Sequence, residues 1–261
     1  MPGNLATPGS SVTQRVLALL YAFSDLHPRL TMSELALIAD LPVATTHRLL
    51  AQLVEGEALV RHRDGRYSVG RRLWQLGALA STETQMREAA APFLSDLHAA
   101  TRATIHLAVR EGAGALYLER IYGHTSVPVV STVGSTLPLH STGVGKVLLA
   151  HAPADVVAQV FARLTRHTPY TITSTARLTE QMERIRSDGW ASTAEEMTLG
   201  ACSLAVPVRA GTMPGAPVVA ALGVVIPTLR RDRDRLVTAM HVAAAGISRQ
   251  LTPRGEDALR Y

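Results

Sequence analysis

The sequence has little cysteine, little lysine and no long apolar run. Its single cysteine, Cys202, excludes an internal disulfide and is typical of a reducing cytoplasm. The most apolar stretch, residues 217–229, is broken by Pro227 and is shorter than the roughly 20 residues of a membrane-spanning helix, so it predicts a buried strand and no membrane partner. The first ten residues lack the basic and apolar segments of a signal peptide, and we expect a disordered tail.

The sequence also lacks the spacings of metal, phosphate and nucleophile sites. None of the ten histidines has another four residues away, and no Cys-x-x-Cys occurs, so we expect no metal and no cofactor. The run Gly143–Lys146 resembles the end of a phosphate-binding loop, but His140 and Val147 stand where Gly and Ser or Thr are required. Nothing brings Cys202 and His140 together as nucleophile and base. We therefore expect a buried structural thiol, glycines that permit close packing, and no enzyme.

Length and charge allow two domains and a local basic surface. The chain has 261 residues, of which 47% are hydrophobic and 18% charged, as in globular proteins. The net charge of +5 is weak evidence for nucleic acid, but residues 42–72 carry six arginines against three acids. Such a stripe suits phosphate contact, although a solvated basic face has the same composition.

Three helices are predicted in the first 55 residues. Apolar residues recur at helical spacing over 12–25, and the capping-box pattern Thr31–Glu34 begins a second helix at 32–39. A tight turn at 40–41 separates it from a third helix, which begins at Pro42 and runs to about Glu55. Two short helices joined by such a turn indicate a helix-turn-helix, whose second helix lies in the major groove of double-stranded DNA.

The third helix has a core face and an outer face, and a basic hairpin follows it. Residues 46, 49, 50 and 53 share the core face, whereas Arg48 lies on the outer face, where a guanidinium can bind a guanine edge. Residues 58–69 predict a hairpin around Asp64-Gly65, which is typical of a wing. The predicted DNA-contacting residues are Ala44, Thr45, Thr46, His47, Arg48 and Gln52 of the helix and Arg61, Arg63 and Arg66 of the wing.

Three segments of this region resemble the IclR family of bacterial transcriptional regulators. They are LTMSELA at 30–36, LPVATTHRLLAQL at 41–53, and LV with GRYSVGRRL at 59–60 and 65–73. The family usually has a small polar pair before His-Arg-Leu-Leu; Ala44-Thr45-Thr46 occupies that place, with Thr46 where an aliphatic residue is common. The resemblance implies a linker helix, here predicted over 71–84, that helps to pair two subunits.

The second half predicts an antiparallel sheet flanked by helices. The predicted strands are 103–110, 115–122, 127–133, 202–209 and 217–226, and the helices are 86–97, 143–150, 153–163, 179–188 and 231–251. The segments LPLHSTGVGK at 137–146 and GWA, EE and LG within 189–200, leading into AVPV at 205–208, extend the resemblance to residues 12–250. It implies a GAF-like domain that senses a small molecule.

The expected fold is α+β, with five parts in chain order. They are a disordered tail at 1–10, a winged helix-turn-helix at 11–70, the linker helix at 71–84, a GAF-like effector-binding domain at 85–252 and a tail at 253–261. The partners expected are operator DNA, a small-molecule effector and a second copy of the chain, as a homodimer or a dimer of dimers. Two matters stay open: whether the second domain is only an oligomerisation module, and whether the regulator represses or activates.

The resemblance also implies the ligand-binding positions, several of which depart from the family pattern. Ser203 stands where a cysteine is frequent, Thr193 where an acid is usual, and Gly223 and Val225 where small polar residues are usual. Apolar walls with few polar groups favour an aromatic acid over a small oxo acid, its carboxylate near the helix start at Gly143–Gly145. The predicted positions are Val129, Leu139, Gly143, Val144, Thr193, Ala201, Ser203, Gly223 and Val225.

Overall fold

The computed structural model describes residues 11–24, 27–77, 79, 81–122, 130–229 and 233–251. The chain divides into two compact units, Met1–Thr84 and Gln85–Tyr261. Among the described residues, no helix combines the length and apolarity needed to cross a membrane. Both predicted tails, 1–10 and 253–261, lie outside the described residues.

The first unit contains three helices, a short hairpin and a fourth helix. They are α1 (Val12–Leu20), α2 (Met32–Ile38), α3 (Val43–Glu55), β1 (Leu59–Arg61), β2 (Tyr67–Val69) and α4 (Arg71–Gly77). The predicted capping box begins α2: the Glu34 amide donates to the Thr31 hydroxyl at 3.3 Å, and the Thr31 amide donates to the Glu34 carboxylate at 2.7 Å. The turn between α2 and α3 places Asp40 at φ 51°, a left-handed conformation that non-glycine residues adopt mainly in turns.

A small core joins the helices to the hairpin. Leu19, Leu35, Leu49 and Leu50 are all fully buried, one or two from each of the three helices. Tyr67 of β2 exchanges backbone hydrogen bonds of 2.7 and 3.0 Å with Leu30, which ties the hairpin to the segment before α2. The first unit is therefore a winged helix-turn-helix.

The second unit is built on a six-stranded antiparallel sheet in the order β5-β4-β3-β8-β7-β6. The strands are β3 (Thr104–Glu111), β4 (Gly114–Ile121), β5 (Thr136–Pro138), β6 (Ala191–Ala194), β7 (Cys202–Arg209) and β8 (Val218–Ile226). The helices are α6 (Gly143–Ala150), α7 (Ala154–Phe161), α8 (Thr175–Asp188) and α9 (Arg233–Gln250), and α5 (Ser81–Thr101) leads into the unit.

Side chains alternate between the two faces of this sheet. On β3, Ile105 and Leu107 join a core with α5 and α9, whereas Ala108 joins a second core with α6, α7 and α8. Small residues on the second face let α6 approach closely: a Cβ on Gly223 of β8 would lie 2.6 Å from Cγ1 of Val144. The chain is thus an α+β protein, as the sequence predicted.

Several predicted boundaries differ from the structure. The first helix ends at Leu20, well before residue 25, and α8 begins four residues earlier than predicted. The predicted strand at 127–133 is not found in its described part, 130–133, and residues 123–129 lie outside the described residues. Short strands β5 and β6 were not predicted. Over the predicted linker, 71–84, the structure has α4 and the start of α5 at Ser81, with residues 78 and 80 outside the described residues.

Candidate functional site

The outer face of α3 is an exposed polar surface. Four of the predicted DNA-contacting residues of α3 are exposed and one is half-buried, because the leucines of α3 pack into the core on the other side. The exposed residues are Ala44, His47, Arg48 and Gln52, and the half-buried one is Thr45. These five predicted DNA-contacting residues therefore lie on the side of the helix that a ligand the size of DNA can reach.

Thr46 does not belong to that surface, so its inclusion among the DNA-contacting residues is corrected. Its side chain is fully buried beside Leu49 and Leu50, because it lies on the apolar face of α3. The Thr46 hydroxyl has no hydrogen-bond partner, whereas buried polar atoms usually have one. Thr46 is a core residue with an unsatisfied polar atom.

The three wing arginines are not equivalent. Arg61 and Arg63 are exposed, and the Arg61 guanidinium carbon lies 5.9 Å from the centre of the Tyr67 ring. Arg66 is only half-exposed: its Nη1 lies 3.6 Å from the Glu34 carboxylate and donates to the Arg29 carbonyl at 3.4 Å. Arg66 is thus held against its own domain, and two arginines rather than three extend from the wing.

The second unit contains a pocket between the start of α6 and the adjoining face of the sheet. It encloses about 490 Å³ of space, including its open mouth. Seven of the nine predicted ligand-contacting positions line it: Gly143, Val144, Thr193, Ala201, Ser203, Gly223 and Val225. These residues come from α6, β6, β7, β8 and the loop before β7, so the fold brings together positions separated by up to 82 residues (143 to 225).

The other two predicted positions are not part of the described pocket. Leu139 is fully buried in the core under α6 and α7 and does not line the pocket, so that prediction is corrected. Val129 lies outside the described residues.

One side of the pocket carries a polar group that the sequence prediction missed. His106 of β3 is buried, its Nε2 lies 2.9 Å from the Ser131 hydroxyl, and the ring of Tyr117 meets it edge-on at 5.1 Å. Burial, reinforced by the nearby charge of Arg120, lowers the pKa of His106 to about 3. Burial likewise raises the pKa of Tyr117. At neutral pH the pocket therefore presents an uncharged imidazole and an uncharged phenol.

The other side of the pocket presents hydroxyls and a helix start. Thr193 and Ser203 share a hydrogen bond of 2.6 Å between their hydroxyls. Thr142 caps α6 by accepting from the Gly145 amide at 3.1 Å, and Gly143 lies so near Ser203 that a Cβ would meet its hydroxyl at 2.5 Å. No charged side chain occurs among the described lining residues. The groups that can stabilise a negative charge on a ligand are therefore the hydroxyls and the positive end of the α6 dipole.

The Cys202 thiol borders the pocket, and the only lysine of the sequence forms a buried ion pair. Cys202 lines the pocket and is half-buried, so the prediction of a buried structural thiol is corrected. Lys146, the only lysine, is buried and its Nζ lies 2.5 Å from Oε1 of Glu196. Burial raises the pKa of Glu196 and lowers the pKa of Lys146, and their mutual attraction opposes both shifts.

A signal for His106 was present in the sequence. It is the one basic side chain between the apolar neighbours Ile105 and Leu107 in a predicted strand, and alternation places it on the face opposite theirs. For metal ions, the described part of the chain contains no group of three or more candidate His, Cys, Asp or Glu ligands.

Two family models match the chain. The one described as the C-terminal domain of the bacterial transcriptional regulator IclR matches residues 78–249, and the IclR helix-turn-helix domain matches residues 12–63. The HTH-type transcriptional regulator KdgR of Escherichia coli (strain K12) is 32% identical over 235 residues, which cover 87% of this chain and 84% of KdgR. The HTH-type transcriptional repressor AllR of Klebsiella pneumoniae is 28% identical over 237 residues, which cover 89% of this chain and 86% of AllR.

Solved structures of IclR regulators are also similar to this chain. The crystal structure of an IclR homologue from Microbacterium hydrocarbonoxydans, complexed with 4-hydroxybenzoate, has a TM-score of 0.86 and 31% identity, and the match covers 92% of this chain and 99% of that one. The Thermotoga maritima IclR structure has a TM-score of 0.73 and 25% identity, with 93% and 98% covered.

Proposed function

This chain belongs to the IclR family of bacterial transcriptional regulators, and from that premise we propose how it reads DNA and which ligand controls it. It is a DNA-binding regulator, as are the relatives it matches over most of their length. The proposal concerns the contacting residues, the chemistry of the effector and the coupling between them.

DNA is read by the outer face of α3 and by the wing. Arg48 donates to a guanine edge in the major groove, with Thr45, His47, Ala44 and Gln52 around it. Arg61 and Arg63 contact the phosphate backbone or the minor groove from the wing. The support for these roles is their exposure on the helix and hairpin that this motif directs toward DNA.

The effector is an aromatic acid bound in the pocket of the second unit. The observation that carries this proposal is the pocket itself, which has apolar and hydroxyl walls, a neutral His106 and the N-terminus of α6. The ring occupies the apolar space beside Val144 and Val225, and the carboxylate lies near the α6 amides and the Thr193–Ser203 hydroxyl pair. The similar structure that holds 4-hydroxybenzoate supports the same ligand class.

Binding acts on DNA through an oligomer. The chain works as a dimer or a dimer of dimers, with residues 11–70 as the reading domain, 71–84 as the linker and 85–252 as the sensing domain. Two reading helices then fit half-sites about one helical turn apart. Trp74 and Leu76 on α4 are 70% and 55% exposed, which suits a segment that a second copy covers. The ligand shifts the balance between states whose reading helices match or miss this spacing, in the cytoplasm where the operator lies.

Calorimetric titration of a ligand panel tests the effector class. The panel compares 4-hydroxybenzoate and benzoate with glyoxylate and pyruvate, and we expect only the aromatic acids to bind. Ser203→Ala is expected to weaken binding, whereas Ser187→Ala on the exposed end of α8 serves as the matched control. Binding of the small oxo acids alone would refute the aromatic class, and a chain that binds none of the panel would favour an oligomerisation module.

A DNA measurement tests the coupling. Footprinting of the region upstream of the coding sequence, with and without a bound aromatic acid, is expected to show protection that the ligand changes. Affinity for that DNA is expected to fall steeply with salt because arginines contact phosphates. A ligand that binds with no effect on DNA affinity would contradict the proposed coupling.

A further inference from the structure

A short loop forms one wall of the pocket, and hydrogen bonds hold it on the side away from the pocket. This pocket loop, residues 195–201 between β6 and β7, contributes Met197, Thr198 and Ala201 to the lining. It closes on itself through the Glu195 amide, which donates to the Ala201 carbonyl at 2.8 Å. Glu195 has φ 57°, a left-handed conformation that is costly for this residue type, so the loop's shape depends on its surroundings.

Three hydrogen bonds fasten the back of the pocket loop to the segment before α8. The Thr168 hydroxyl donates to the Glu195 carbonyl at 2.6 Å, and the Thr171 hydroxyl donates to the Glu196 carbonyl at 2.7 Å. The Ile172 amide donates to Oε2 of the Glu196 carboxylate at 3.5 Å. These bonds leave Oε1 of Glu196 directed at α6.

On α6, the Lys146 side chain forms an ion pair with that carboxylate oxygen. Lys146 Nζ lies 2.5 Å from Glu196 Oε1 and donates to Gln181 Oε1 at 2.8 Å, with the lysine and glutamate side chains 2% and 6% exposed. The same helix supplies Gly143 and Val144 to the pocket one turn earlier. Helix α6 therefore forms one side of the pocket and also binds the pocket loop, which forms another side.

We propose that Lys146 and Glu196 are a positioning pair that fixes the pocket loop against α6 in the arrangement that binds the effector. A directional ion pair suits this task, because two buried charges tolerate little displacement from each other, whereas apolar groups slide at small cost. The pair holds Met197 and Thr198 at the pocket and touches no ligand. The ligand readout below rests on the proposed function, and the loop readout does not.

The test uses the full chain with Lys146→Met and Glu196→Leu combined, which replaces the pair by apolar groups of similar length and leaves no charge buried alone. Hydrogen exchange followed by mass spectrometry reports the pocket loop, and calorimetry reports the Kd of 4-hydroxybenzoate. We expect exchange in 195–201 to rise about ten-fold or more, with β3 and β8 unchanged, and the Kd to weaken by about ten-fold. Glu180→Gln, which breaks the exposed Arg184–Glu180 pair on α8, is the matched control and is expected to change neither quantity.

Two results with the double variant would overturn the proposed role of the Lys146–Glu196 pair. A folded double variant with wild-type loop exchange overturns the proposal, as does a loss of protection spread equally over β3 and β8, which marks a merely structural pair. Should the double variant not fold, Glu196→Gln removes the charge of the pair and keeps the size of the side chain, and unchanged loop exchange there also overturns the proposal. Failure of the wild-type chain to bind 4-hydroxybenzoate refutes the proposed ligand class, while the exchange data still decide the role of the pair.

Discussion

Replacing Thr46 by valine is expected to stabilise the DNA-binding unit. The Thr46 side chain is fully buried and its hydroxyl has no partner. A buried hydroxyl without a hydrogen bond costs about 1–3 kcal/mol, and valine has nearly the same shape without that group. Taking the lower end of this range, we expect a gain of about 1 kcal/mol, or roughly a five-fold shift in the opening equilibrium.

Hydrogen exchange of the amides of α1, α2 and α3 is the suitable assay, because it reports this unit separately from the second one. In Thr46→Val these amides are expected to exchange about five-fold more slowly, with the amides of β3 and β8 unaffected. The matched control is Thr45→Val one residue earlier, on the half-buried outer side of the helix. It is expected to leave exchange unchanged and to weaken operator binding, whereas Thr46→Val leaves operator binding intact.

Two results would refute this reasoning. Faster exchange in Thr46→Val would mean that the hydroxyl makes a stabilising bond. A loss of operator affinity in Thr46→Val alone would mean that residue 46 faces DNA, as its inclusion among the predicted DNA contacts implied.

Three further predictions follow from the site. His106 has a pKa of about 3 in the folded chain against 6.5 in the unfolded chain, so only the unfolded chain gains its proton as the pH falls below 6.5. The free energy of unfolding, measured by urea denaturation, should therefore drop by about 1.4 kcal/mol from pH 8 to pH 5.5. A His106→Gln variant whose free energy of unfolding drops by the same amount over this pH range would contradict this. Gly223→Ala places a Cβ 2.6 Å from Val144, so urea denaturation should show a loss of about 1–3 kcal/mol and calorimetry weaker ligand binding. In fluorescence anisotropy, Arg48→Ala should lose about 1–3 kcal/mol of operator affinity and Arg66→Ala less, since Arg66 already holds a carboxylate of its own domain; equal losses would refute the distinction.

Periodicity predicted the helix-turn-helix well because its helices bury a single regular face. The spacing of Leu49, Leu50 and Leu53 was enough to separate the core side of α3 from the side that carries Arg48. The capping box at Thr31 fixed the start of α2 for the same reason: both signals depend on residues three or four positions apart. The burial of Thr46 was also visible, since the helical wheel places it on the core face and the family commonly has an aliphatic residue there. Its inclusion among the DNA-contacting residues conflicts with both signals.

What the sequence did not give depends on contacts between distant segments. Leu139 is close in sequence to the pocket residues, yet it packs under α7, and only the path of the chain after β5 decides this. The restraint on Arg66 comes from Glu34 and Arg29, more than 30 residues earlier. Strands β5 and β6 have three and four residues, too few for alternation to be recognised, and exist because a longer neighbour supplies their hydrogen bonds.

The burial of the only lysine leaves the folded protein without a lysine side chain that amine-directed reagents can reach. Succinimidyl dyes, dialdehyde cross-linkers and acetylating reagents need a deprotonated amine that solvent can reach, and Lys146 is 2% exposed and paired with a carboxylate. Its labelling rate therefore reports how often the region around α6 opens, from one site and without an engineered probe. Methods that attach proteins through surface lysines will find none on the folded chain.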